Sequence, residues 1–138
     1  MRHKNWNQRG VAAVEFALVL PVLVLLLLGI IEFSVALYDK AVVTNASREG
    51  ARAGIVFRDP PMTEGEIAGV VTSYCQDRMI TFGSVTQVTT NVIWEGMASG
   101  DDLTVRVLFQ YQFLAVPNFV ADLAGGIQLG GQTVMRME

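Results

Sequence analysis

Few residues in this 138-residue chain have the chemistry for covalent or acid–base work, and their spacing argues against it. The only histidine, His3, lies ahead of any plausible fold, which excludes a histidine-based triad or a multi-histidine metal site in the folded part. The single cysteine, Cys75, cannot close an internal disulfide. On the inner stripe of a helix it reads as a small buried hydrophobe, with pairing to another chain in an oxidising compartment as the alternative. The acidic pairs Asp101-Asp102 and Glu64/Glu66 fall at a turn and a helix start, where solvated acids are common, and neither has metal-ligand spacing. Gly125-Gly126 and Gly130-Gly131 lack the lysine and following helix of a phosphate loop. The expectation is a protein that is not an enzyme and holds no cofactor or metal.

Composition points elsewhere. Apolar residues make up 51% of the chain and charged residues 17%, against about 25% charged in soluble domains. Ten Lys and Arg against thirteen Asp and Glu give a net charge of −3, which argues against a nucleic-acid partner. The apolar excess is concentrated in residues 11–31, where Glu15 is the only charge. As a helix this stretch covers roughly 30 Å, the thickness of a bilayer core. The leader before it holds Arg2, Lys4 and Arg9 and no acid, so the leader is expected in the cytoplasm and the remainder exported. Two alternatives are a buried core helix and a signal peptide removed after Ser34-Val35-Ala36. Against the second, the apolar region is longer than usual and Glu32 stands just before the site.

The segment Gln8-Arg9-Gly10-Val11-Ala12-Ala13-Val14-Glu15-Phe16 carries most of the functional information. A carboxylate in the second turn of a membrane helix costs about 2–3 kcal/mol at the bilayer centre and less near its edge. A helix N-terminus also favours its charge. The junction resembles the prepilin class, in which a membrane peptidase cuts after glycine and leaves glutamate as the fifth mature residue. The resemblance implies processing between Gly10 and Val11, with Glu15 and the adjacent Phe16 as assembly contacts. Glu15 would then pair with the new N-terminal amine of a neighbouring subunit or of its own chain. Glu15-Phe16-Ala17-Leu18-Val19-Leu20-Pro21 and Ala46-Ser47-Arg48-Glu49-Gly50-Ala51-Arg52-Ala53-Gly54 both resemble the TadE-like family, minor pilins or pseudopilins of the tight-adherence (Tad/Flp) branch of type IV pili. The likeness covers roughly residues 8–54, with a looser echo in the closing Val134-Met135-Arg136-Met137-Glu138. Many pilins begin the mature chain with phenylalanine or methionine; this one would begin with Val11.

The elements that must position these residues follow from periodicity. Ile31, Val35, Tyr38, Val42, Ala46 and Ala53 keep a spacing of about 3.5 residues and predict one helix over residues 11–56, ended by Arg58-Asp59-Pro60-Pro61. Pro21 removes one hydrogen bond within it and is expected to kink or loosen it. Ala46, Gly50 and Gly54 at i, i+4 and i+8 form a small-residue ribbon that lets another backbone approach. Its expected partner is the protein's own sheet, with a second pseudopilin as the alternative. Thr63-Glu64-Gly65-Glu66 opens a second helix over residues 65–80, with Ile67, Val70, Val71, Tyr74, Cys75, Arg78 and Met79 on its inner stripe. Period-two alternation then predicts strands around residues 85–94, 103–113 and 127–138. Apolar residues 113–120 are expected to cap one edge of the core, with the membrane surface or a neighbour as the alternative contact.

The predicted fold class is α+β and pilin-like: a long N-terminal helix, membrane-spanning in its first half, packed on a small antiparallel sheet with one additional helix. The expected organisation is a cytoplasmic leader (1–10), a transmembrane half-helix (11–32), its exported half (33–57) and a periplasmic helix-plus-sheet domain (58–138). The resemblance implies a single-pass inner-membrane protein that initiates, primes or stabilises a Tad pilus, with or without entering the filament. Its implied partners are the prepilin peptidase, other Tad pilins and pseudopilins, the inner-membrane assembly platform and membrane lipid. The alternative is an uncleaved signal anchor presenting a periplasmic binding domain.

Overall fold

One long helix organises the molecule. In the computed structural model, which describes residues 6–81, 87–96, 98–113 and 127–137, α1 spans Trp6–Gly54, 49 residues, or about 74 Å at the standard rise. It begins five residues before the expected Val11, because nothing in residues 6–10 interrupts the helical backbone. It also stops short of the two prolines. Ile55 N–H closes the last turn on the Ala51 carbonyl at 3.1 Å, directly after Gly54, a poor helix former. Pro21 lies inside α1 without ending it.

The second helix, α2 (Glu64–Arg78), starts with a reciprocal cap. The Thr63 hydroxyl accepts from Glu66 N–H at 3.3 Å, and Glu66 Oε2 accepts from Thr63 N–H at 2.8 Å. Two N–H groups that have no partner within the helix are thereby satisfied. Ile67, Val71 and Cys75 are buried at i, i+4 and i+8. Val70, Tyr74 and Met79 are half-buried and Arg78 is exposed, its guanidinium lying 4.1 Å over the Tyr74 ring.

Three strands form an antiparallel meander in the order β1 (Val88–Trp94), β2 (Asp102–Tyr111), β3 (Ile127–Arg136). The pairs Val88↔Phe109 and Trp94↔Leu103 bracket the β1–β2 ladder, while Asp102↔Arg136 and Tyr111↔Ile127 bracket β2–β3. Leu103, Val105, Val107, Phe109 and Tyr111 alternate inward along β2 and are buried, as period two requires of a strand with one covered face. At the β1–β2 turn Gly100 takes φ +97°, and Asp101 Oδ2 accepts from Ala98 N–H at 2.8 Å. Asp102 faces Arg136 across the strands at 3.1 Å. Both members of the predicted acidic pair are thus turn and strand-end groups. The architecture is α+β, with a sheet and α2 laid along the second half of α1.

The buried line on α1 differs from the predicted one. Of the predicted stripe Val42 and Ala46 are buried and Val35 and Ala53 half-buried, but Ile31 and Tyr38 are 49% and 47% exposed, whereas Glu32, Ala36, Asp39, Val43, Ser47, Gly50 and Ala51 are buried. The contact face is rotated by about one residue and includes two carboxylates. It can do so because the packed elements bring a donor to each of them.

Candidate functional site

Every residue from 10 to 31 on α1 is exposed, and this apolar half fits a single-pass membrane anchor. Gly10, Val11, Glu15 and Phe16 all lie within the helix, and a Cβ added at Gly10 would meet nothing within 4 Å. The structure does not bring them near the other predicted group. Ala46 stands 30 residues beyond Phe16, roughly 45 Å along the axis.

Ala46, Gly50 and Gly54 lie on the covered face. Ala46 is fully buried. A Cβ on Gly50 would come 2.6 Å from Val71 Cγ2 and 3.4 Å from Val105 Cγ1, and one on Gly54 would come 2.5 Å from Leu103 and 2.8 Å from Ile67. The ribbon therefore meets α2 as much as the sheet, and both contacts are internal to the chain. Cys75, fully buried, fills the core between the helices and has no surface to offer another chain.

Sequence reasoning missed a polar seam between α1 and the domain. Tyr111 Oη donates to Glu32 Oε1 at 2.9 Å, and Ile80 N–H donates to Asp39 Oδ1 at 3.0 Å. Lys40 Nζ donates to the Gly130 carbonyl, and the Ser47 and Thr133 hydroxyls share a hydrogen bond at 2.8 Å. Glu32, Asp39 and Ser47 recur at intervals of seven and eight residues, two helical turns apart, on the covered face, with the exposed Lys40 at its edge beside Asp39. Between the last two ties β3 comes closest: a Cβ on Gly131 would lie 2.7 Å from Thr44 Cα and 2.8 Å from the Val43 carbonyl oxygen. Only glycine permits that approach of strand to helix. The spacing of Glu32 and Asp39 was the available signal, since both fall in phase with Ala36 and Val43.

Burial sets the electrostatics of this seam. It holds the Asp39 carboxyl above its ordinary value, partly offset by the Ile80 N–H bond. Asp39 Oδ2 has no hydrogen-bond partner among the described residues. Burial also pushes the Cys75 thiol up to about 11, with Asp39 adding to the shift. The Tyr111 hydroxyl is raised by burial and then by its bond to Glu32, so it remains a donor. On the open side of α1, Glu49 and Arg52 pair at i, i+3, and the guanidinium holds the Glu49 carboxyl below its usual range. Exposed pairs of this kind add little stability.

Beside Asp39 an open recess of about 370 Å³ is lined by Ile80, Thr81, Gln87, Thr89, Phe109 to Gln112 and Gln128, with Leu108 at its wall. Asp39 is the one charged group among the described residues that line it. Among the described residues no three His, Cys, Asp or Glu side chains gather at metal-ligating spacing. Phe113 stacks edge-on against Tyr111 at 5.5 Å; the rest of the apolar run predicted to cap the core, residues 114–120, lies outside the described residues.

Residues 10–52 match the model of the TadE-like protein family. The match takes in both motifs that carried the resemblance, as far as Arg52. It associates the chain with the Tad pilus and with a structural rather than enzymatic family. No curated protein and no solved structure matches the chain.

Proposed function

We propose that this protein is a minor pilin or pseudopilin that helps initiate, prime or stabilise a Tad pilus after prepilin peptidase cleavage between Gly10 and Val11. One observation carries the reading. A continuous helix leaves its first apolar half, with Glu15 as the lone carboxylate, exposed, while among the described residues the domain grips the helix from Glu32 onward. Such a rod is free to pass from the bilayer into a bundle of like helices without rearranging the domain.

The basic leader stays in the cytoplasm and the domain is exported across the inner membrane. Cleavage releases the amine of Val11 four residues before Glu15. A carboxylate and an ammonium held together in the bilayer offset part of each other's desolvation, provided the geometry is good. Glycine at position 10 weakens the helix by roughly 0.5–1 kcal/mol relative to alanine, which eases the local opening a peptidase needs. Phe16 continues the apolar face presented to neighbouring pilins and the assembly platform.

The test is the intact mass and N-terminal residue of the membrane-extracted protein, expressed with and without its prepilin peptidase. A peptidase-dependent start at Val11 is expected. A start at Met1 in both cases would instead support an uncleaved anchor presenting a binding domain, a reading favoured by the recess beside Asp39. A start at Leu37 would overturn both.

A further inference from the structure

We propose that the membrane-facing end of the domain is itself a lipid contact, with Gln112, Phe113 and Ile127 resting in the headgroup zone of the leaflet that α1 leaves at Glu32. The inference rests on reading residues 11–31 as the membrane span.

Geometry fixes the level of this end. An apolar helix of that length fills a bilayer core of about 30 Å, so the hydrocarbon ends near Ile31. Tyr111 is tied to Glu32 at 2.9 Å, which brings the end of β2 to the same boundary. β2 runs opposite to α1, from Leu103 beside Gly54 to Tyr111 beside Glu32. Gln112 and Phe113 therefore continue toward the bilayer. Phe113, two residues beyond the end of β2, lies at most about 7 Å past Tyr111, within the depth of one headgroup layer.

The chemistry of this end suits that zone. Ile127, paired with Tyr111, remains 39% exposed, and Phe33 on the adjoining turn of α1 is 65% exposed. Phe33 is exposed at the level where aromatic side chains anchor membrane proteins, and Phe113 lies half-buried against Tyr111 beside it. Gln112 and Gln128 are uncharged, whereas the ion pairs Arg58–Glu66 and Arg136–Asp102 lie toward the opposite end, beyond Gly54. Open strand ends strand polar backbone groups in hydrocarbon, so the contact stops at the interface. The described residues of this end hold no cluster of lysines or arginines, so zwitterionic lipid suffices.

The test uses the full chain in phosphatidylcholine nanodiscs containing lipid brominated high on its acyl chains. A bimane reporter is attached at Gln112→Cys or Ile127→Cys, both at exposed positions; Cys75 stays buried and unlabelled. Leu23→Cys reports the span, and Phe57→Cys the far end. Quenching at positions 112 and 127 within about a factor of two of position 23, with none at 57, is expected for an interfacial seat. Quenching at 23 alone would overturn the lipid contact and leave the span standing. Absence of quenching at 23 would overturn the span and this inference with it.

Discussion

Replacing Gly131 by alanine measures how tightly the sheet is seated on the helix. The new methyl carbon would stand 2.7 Å from Thr44 Cα, 2.8 Å from the Val43 carbonyl oxygen and 3.0 Å from Thr44 N. Comfortable contacts between carbons lie at about 3.5–4.0 Å, so strand and helix must part by roughly 0.8 Å. All three obstacles are backbone atoms of a helix interior, and none can swing aside as a side chain would. Overpacking of this kind costs about 1–3 kcal/mol. The shift also strains the Lys40–Gly130 and Ser47–Thr133 bonds on either side, so the upper half of that range, about 2–3 kcal/mol, is expected. For a domain of this size each kcal/mol moves Tm by about 4–8 °C, a drop of at least 8 °C. Near-UV circular dichroism of the detergent-solubilised chain reads the transition through Trp94, which packs against the core. Gly69→Ala is the matched control: it lies within α2, a Cβ there meets nothing within 4 Å, and the change should stabilise by about 0.5–1 kcal/mol. A Gly131→Ala variant within about 0.5 kcal/mol of the parent would refute the close seating of β3 on α1.

Asp39→Asn should raise stability at neutral pH by about 1–2 kcal/mol, because it removes a charge that burial disfavours while the amide oxygen still accepts from Ile80 N–H. Since the folded Asp39 carboxyl titrates above its ordinary 3.8, its contribution is fullest below that pH and is lost as pH rises through the folded value. The gap between variant and parent in denaturant titrations should therefore widen upward through that window. Cys75, with its thiol at about 11, should resist alkylation at pH 8 in the native chain and react in denaturant; equal rates would refute its burial. Tyr111→Phe removes the hydroxyl that donates to Glu32 and should cost about 1–2 kcal/mol by the same thermal assay. Glu15→Leu should leave peptidase cleavage intact by mass while reducing piliation by electron microscopy; normal piliation would sink its assembly role.

Periodicity exposed the elements because each has one covered face. The alternation from Leu103 to Tyr111 and the spacing of Ile67, Val71 and Cys75 mark β2 and α2 within a residue or two. The bounds of α1 differed at both ends, since neither the tolerance of residues 6–10 for helix nor its stop at Gly54 is written in hydropathy. The contact face was harder. Apolar counting sets carboxylates outside, whereas Glu32 and Asp39 are inside because Tyr111 and Ile80, 79 and 41 residues away in sequence, supply donors that no local pattern announces. Gly131 was equally hidden, for its role depends on β3 register against α1. The ribbon of Ala46, Gly50 and Gly54 was legible as a close approach. That α2 makes much of it depends on how the chain folds back after Pro61.

The seam has a mechanical consequence. Its ties at Glu32, Asp39, Lys40 and Ser47 are strung along the helix axis, roughly parallel to the direction in which a rod is pushed or drawn through a membrane. A load applied to the apolar end of α1 therefore reaches the domain in shear, shared among all of them at once, instead of peeling them apart one by one. With the backbone of β3 wedged against Thr44 as a stop, thrust along the helix is transmitted to the folded domain with little slip.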